Sequence, residues 1–270
     1  MNKNLQTILI KAKEDVYSHL SGGTISRILG QGYNFAELRE YDSFDDIRHI
    51  SWINSAKLGQ PYVKKMHEEK ELNVAVCTLL DGRFLLGKKQ ELLEYVVAVL
   101  GYSTYEANDL FSAFTFVGAE LKSYESTKNI YAIEEVIKDI YDVELLAKRV
   151  DYFKVSDIHL ESKHLLFIIG DFLDPIDLSV LSKKHEIVVI MLRDELEENP
   201  KVSTNEQLVN PQSNKFINQR LSKKAIEHYK VKLLEHDRLL IEHFNKHNIS
   251  YIKVYRSEDF IGKLERLFTC

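Results

Sequence analysis

The chain reads as an α/β protein, a doubly wound and mostly parallel sheet behind an N-terminal α-rich region. Three observations predict this. Continuous apolar runs such as residues 72–80 (LNVAVCTLL) show no alternation, as strands covered on both faces require. Amphipathic stretches separate these runs, so strand and helix alternate from residue 72 to the end. A charged run at 67–71 (HEEKE) divides that alternation from what precedes it. The expected division is therefore 1–70, an N-terminal region packed on the core, and 71–270, the α/β domain.

Taken in order, Leu5, Ile8, Leu9, Ala12, Val16 and Leu20 recur at helical spacing, which predicts a helix over 5–20 ended by Gly22 and Gly23. Ser43 to Asp46 has capping-box spacing and predicts a second helix from about Phe44, with Phe44, Ile47, Ile50 and Ile53 inward and Gly59 as its stop. Residues 61–65 read as a short extended piece. Beyond the first apolar run, residues 88–103, 130–143 and 223–247 carry helical periodicity, and Ser257 opens a terminal helix. Residues 110–117, 164–169, 186–192 and 250–255 read as strands, and the polar segment 201–221 contains a turn at 210–214 (NPQSN), as of a hairpin.

Composition narrows the function. Apolar residues make up 44% and charged residues 29% of 270, with a net charge of −5, so no nucleic-acid partner is expected. Two cysteines, Cys77 inside an apolar run and Cys270, offer no disulfide framework. No apolar run approaches the ~20 residues of a membrane span, and the N-terminus lacks the apolar core of a signal peptide. A cytoplasmic protein without a cofactor is the expectation.

The chemistry-bearing stretch is 32–65. It gathers Arg39, Glu40 and Tyr41, the acidic pair Asp45 and Asp46, Arg48, and the only tryptophan, Trp52. Guanidinium forks match carboxylates, and Trp52 supplies a large apolar anchor. These charges serve either as an interdomain staple or as a partner-binding interface; a solvated charged helix is the plain alternative.

The runs FAELREY (35–41), DDIRHISW (45–52), Ser55-Ala56 and Tyr62-Val63-Lys64 resemble, in order and spacing, the signature of domain-of-unknown-function family fifty-eight. Asn34, Phe44 and Ser51 depart from its usual Glu, Gly and Asp. The resemblance implies a von Willebrand factor A-like domain and an association with MoxR-type AAA+ ATPases. It therefore implies a non-enzymatic adaptor whose partner is such an ATPase or its client.

Von Willebrand A domains hold a divalent cation with an Asp-x-Ser-x-Ser strand end, a threonine and a later Ser-Asp. By that resemblance Asp81 matches the first aspartate, but Arg83 and Leu85 replace the serines. Asp171 matches the later aspartate with Gly170 before it, and Thr127 is a loose candidate for the threonine. The metal site is expected to be degenerate, with Arg83 paired to Asp81 or Asp171 in place of the ion, or else turned to solvent. The competing class is an enzyme: a degenerate P-loop over Gly82 to Lys88, with Lys89 where a hydroxyl belongs, or a hydrolase using Asp81 and Asp171. His243 and His247 have i, i+4 spacing that can ligate zinc, although solvated helix histidines are commoner.

Overall fold

The computed structural model describes residues 3–20, 35–42, 45–66, 71–201, 208–217 and 222–269. Helix α1 (Lys3–Leu20) comes first, then an antiparallel pair of β1 (Phe35–Glu40) and β2 (Tyr62–Met66). The link between these strands holds a 3-10 turn, Ile47–His49, and the short helix α2 (Trp52–Leu58). The body follows as β3 (Asn73–Leu80), α3 (Lys89–Glu106), β4 (Leu110–Val117), β5 (Glu120–Thr127), α4 (Ile130–Asp142), β6 (Leu165–Gly170) and β7 (Glu186–Leu192). Then come α5 (Glu195–Glu198), a hairpin of β8 (Leu208–Asn210) and β9 (Lys215–Ile217), α6 (Lys223–Lys246), β10 (Ser250–Val254) and α7 (Ser257–Thr269).

Six of these strands form one sheet in the order β10-β7-β6-β3-β4-β5, parallel throughout except for the β4–β5 pair. The unbroken apolar runs follow from covering both faces. On β3, Val74, Val76 and Leu80 enter one core with α1, α3, α4 and α7, whereas Ala75, Cys77 and Leu79 enter the other with Tyr152, Phe172, Leu240 and Phe244. The chain winds from β3 to β4 on one side and resumes at β6 on the other. The winding reverses between β3 and β6, and in open α/β sheets ligands bind outside the carboxyl ends of the strands at that point.

At the N-terminus, Leu5, Leu9, Ala12 and Val16 of α1 are buried in the body's core, and α1 packs on α3. Residues 35–66 are built on a β-ladder, which the α-rich description missed. The helix expected from Phe44 starts only at Trp52, because the chain just before it is spent on β2: Ile50 bridges Val63, and the Ser51 amide donates to the Tyr62 carbonyl. Ser43 and Phe44 themselves lie outside the described residues, as do 21–34, with Gly22, Gly23 and Asn34, and most of the charged run at 67–71. Gly59 does stop the helix, in the left-handed conformation at φ 75°.

Candidate functional site

The carboxyl ends of β3 and β6 bring opposite charges together at the reversal of winding. Asp81 follows β3 and caps the 3-10 turn Gly82–Leu85 by accepting from the Arg83 amide at 2.8 Å. That turn folds the Arg83 side chain back over the strand ends. Its Nη2 lies 2.9 Å from Asp81 Oδ2, its Nε 2.9 Å from Asp171 Oδ2, and its Nη1 3.1 Å from Asp174 Oδ2. Nη2 also donates to the Tyr152 hydroxyl (3.2 Å), which in turn donates to Asp171 Oδ1 (3.0 Å). Lys89, from the first turn of α3, is buried beside them, paired with Glu197 and 3.7 Å from Asp171 Oδ2. The Nε approach to Asp171 Oδ2 is an ion pair without hydrogen-bond alignment, so that oxygen has two cationic neighbours and no directional donor.

Asp171 is fully buried and Asp81 nearly so. Burial, and then the charge of Asp171, push the Asp81 carboxyl above the usual carboxylate range, with Arg83 opposing. Burial pulls the Arg83 guanidinium down, but the carboxylates and Tyr152 outweigh it and hold Arg83 charged, above its ordinary value. Burial raises Glu197, and Lys89 acts against that. Each buried charge here has at least one opposite charge in contact, as burial demands.

The cation site implied by the resemblance fails its geometric test. The guanidinium already stands between Asp81 and Asp171 at contact distance from both, and a dication would have to displace it. Among the described residues, no three His, Cys, Asp or Glu side chains converge as metal ligands. Leu85 is 48% exposed and has no oxygen to offer. Thr127 pairs with Phe111 near the start of β4, at the opposite end of the sheet, so it cannot join the cluster. Its hydroxyl accepts from the Asn129 amide.

The P-loop resemblance has a different physical origin. Phe84 is buried within the 3-10 turn, and Lys89 is spent on Glu197. At Gly87 (φ 60°), the space of a Cβ is taken by Asp194 Oδ2 at 2.0 Å. The glycine admits the chain's own carboxylate, where a phosphate would be repelled. His243 accepts from the Leu178 amide, and its ring lies 4.7 Å from that of His247, tilted by 51°.

The charges of the 35–66 segment pair within it. Arg39 binds Asp45, and Arg48 binds Asp46 through Nε and Nη2, while Glu40 is exposed on β1. Trp52 is 68% exposed, so its large apolar surface faces solvent and does not pack into the described body. Ile47, Ile53 and Leu58 are exposed around it. At the strand ends, sequence reasoning missed Lys89, Tyr152, Asp174, Glu197 and Gln212 as members of the cluster. Lys89 lay in a stretch already singled out; Tyr152, which opens the 3-10 turn Tyr152–Asp157, and Gln212 are remote in sequence and leave no local signal.

The family profile described as protein of unknown function DUF58 matches residues 37–237. The uncharacterized protein Mb1516 of Mycobacterium bovis and the uncharacterized protein Rv1480 of Mycobacterium tuberculosis are each 22% identical over 206 residues, 70% of this chain and 64% of theirs. The chain thus spans under two thirds of the length of these curated relatives. Among solved structures, BatB of Bacteroides thetaiotaomicron overlaps with TM-score 0.46 at 12% identity, covering 73% of this chain and 97% of its own. An aerotolerance-related membrane protein of Bacteroides fragilis overlaps with TM-score 0.41 at 10% identity, covering 72% and 99%. Among the described residues of the present chain, no helix is long and apolar enough to cross a membrane.

Proposed function

The chain belongs to the DUF58 family, whose description assigns no activity, and from that premise we propose that it is a non-enzymatic, cytoplasmic adaptor on a von Willebrand factor A-like scaffold. Its partner is a MoxR-type AAA+ ATPase or the client that ATPase remodels. The observation that carries the reading is Arg83, held by Asp81, Asp171 and Asp174 at the point of the sheet where a ligand would bind. A guanidinium fixed there neutralises the carboxylates that a hydrolase would need free, and it takes the place of a cation. The strand order and the antiparallel edge strand support the scaffold assignment.

Partner contact falls to residues 35–66. Trp52 and Ile53 face solvent beside charge pairs that already satisfy one another, so this surface can be covered without stranding a charge. Co-purification with the MoxR-type ATPase encoded nearest to this chain tests the reading. Wild-type chain is expected to co-elute and Trp52→Ala is not, with both equally folded. Turnover of ATP or of a phosphoester by the isolated chain, abolished in Asp171→Asn, overturns it.

A further inference from the structure

The crevice over Arg83 is closed by a segment from far along the chain. The turn joining β8 to β9, residues 210–214, lays its backbone on Gly82, where a Cβ would stand 2.2 Å from the Pro211 carbonyl oxygen. The same oxygen accepts a hydrogen bond from the Ala147 amide at 2.9 Å. The Gln212 side-chain amide donates to Asp81 Oδ2 at 2.7 Å, sharing that oxygen with Arg83. The turn holds its own shape: Asn210 Oδ1 accepts from the Gln212 amide, and Asn214 adopts φ 51°. The hairpin ladder itself is only three residue pairs long. Among the described residues, the hydrogen bonds that tie the hairpin to the body all come from this turn.

These contacts are those of a ligand in a site. A glycine leaves room for main chain, a backbone amide waits for a carbonyl, and a buried carboxylate oxygen takes a neutral donor. We propose that the crevice is a recognition site for a polypeptide turn, filled in cis by residues 210–214 as a displaceable plug. The ligand chemistry follows from the partners. A side-chain primary amide suits Asp81, whereas a carboxylate in its place meets the Asp81 carboxylate. A backbone carbonyl one residue earlier suits the Ala147 amide. A partner turn carrying that pair of groups would compete with the plug. The inference rests on the reading above that the Arg83 cluster is no reaction centre.

Two variants of the full chain test the plug by different physics. Gln212→Glu sets a carboxylate against Asp81, and Gly82→Ala drives a methyl group into the Pro211 carbonyl. Hydrogen exchange of the 208–217 amides is expected to quicken at least tenfold in both, with the melting temperature within about 2 °C of wild type. Unchanged exchange in both variants overturns the proposal. So does exchange that quickens only in step with global destabilisation, since the turn is then an integral part of the fold. The recognition half is read with a synthetic peptide of residues 208–217 added in trans. It is expected to bind the Gln212→Glu chain and not the wild type, whose site is filled. No binding to Gln212→Glu at millimolar peptide overturns the recognition site, while the adaptor reading stands or falls separately on co-purification.

Discussion

Replacing Arg83 with methionine keeps much of the side chain's volume and removes the charge that three carboxylates share. At 2.9 Å and an effective dielectric near 20, each close pair carries roughly 6 kcal/mol of Coulomb energy before desolvation is subtracted. Desolvation returns most of that, and removing one partner of a buried pair typically costs about 3–5 kcal/mol, because the other charge stays buried alone. For a chain of this size that corresponds to a fall in melting temperature of about 6–20 °C. The loss has a defined pH dependence. Without Arg83 the Asp81 carboxyl, already raised by burial and Asp171, rises further above its unfolded value. A carboxyl with a raised folded value favours folding when protonated, so the penalty fades toward pH 4 and is complete at neutral pH. Thermal melts of wild type and Arg83→Met at pH 4.5 and 7.5 check this, provided both fold reversibly. A loss below about 2 °C at pH 7.5, or equal losses at both pH values, refutes the reasoning. Arg83→Lys is expected to recover only part of the loss, because an ammonium cannot reach three acids as the guanidinium does.

The remaining predictions concern other charges. Glu94 on α3 is buried, and its carboxyl is pushed up to about 8 by burial and then by Glu91. Its contribution to stability is complete below the unfolded value and is lost as pH rises toward 8. Glu94→Gln is therefore expected to match wild type at pH 5 and to exceed it by about 3–5 kcal/mol at pH 9 in urea unfolding; equal midpoints at pH 9 contradict the assignment. Arg48 is exposed and pairs with Asp46 two residues away, so Arg48→Ala should leave the melting temperature unchanged while reducing partner capture. A clear drop in melting temperature would instead make that cluster a structural staple. Trp52→Ala should behave likewise, changing stability by no more than about 0.5 kcal/mol, as truncations of exposed side chains do.

Much of the body was legible because burial on both faces writes itself into sequence. The runs that became β3, β4, β6 and β7 are mostly apolar and buried along nearly their whole length, and α4 carries Ile133, Val136, Ile137 and Ile140 at helical spacing. What escaped was whatever lacks a buried face. Strand β5, ELKSYEST, is an exposed edge held by its ladder to β4, and its polar alternation reads as loop. In 35–66 the capping-box spacing at Ser43 promised a helix, but pairing of Ile50 and Ser51 with β2 overrode local preference. Trp52 was singled out as an apolar anchor from its size, and size alone does not say whether such a side chain faces the core or solvent; here it faces solvent. At the site, Asp81 and Asp171 were placed correctly because strand ends can be located from sequence. Arg83 was expected to pair with Asp81 or Asp171; it contacts both, and Asp174 is a third partner that the sequence did not indicate. Thr127 failed because it was placed by motif order, without a register to show which end of the sheet it occupies. Gln212, 131 residues from Asp81, reaches the cluster only through tertiary folding.

The central claim is that a fixed side-chain cation holds the crevice where a dication would otherwise sit. Isothermal titration of the wild-type chain with magnesium, and separately with manganese, reads it directly. No binding heat above dilution is predicted for either ion up to millimolar concentration. A one-to-one isotherm that disappears in Asp81→Asn would contradict the account.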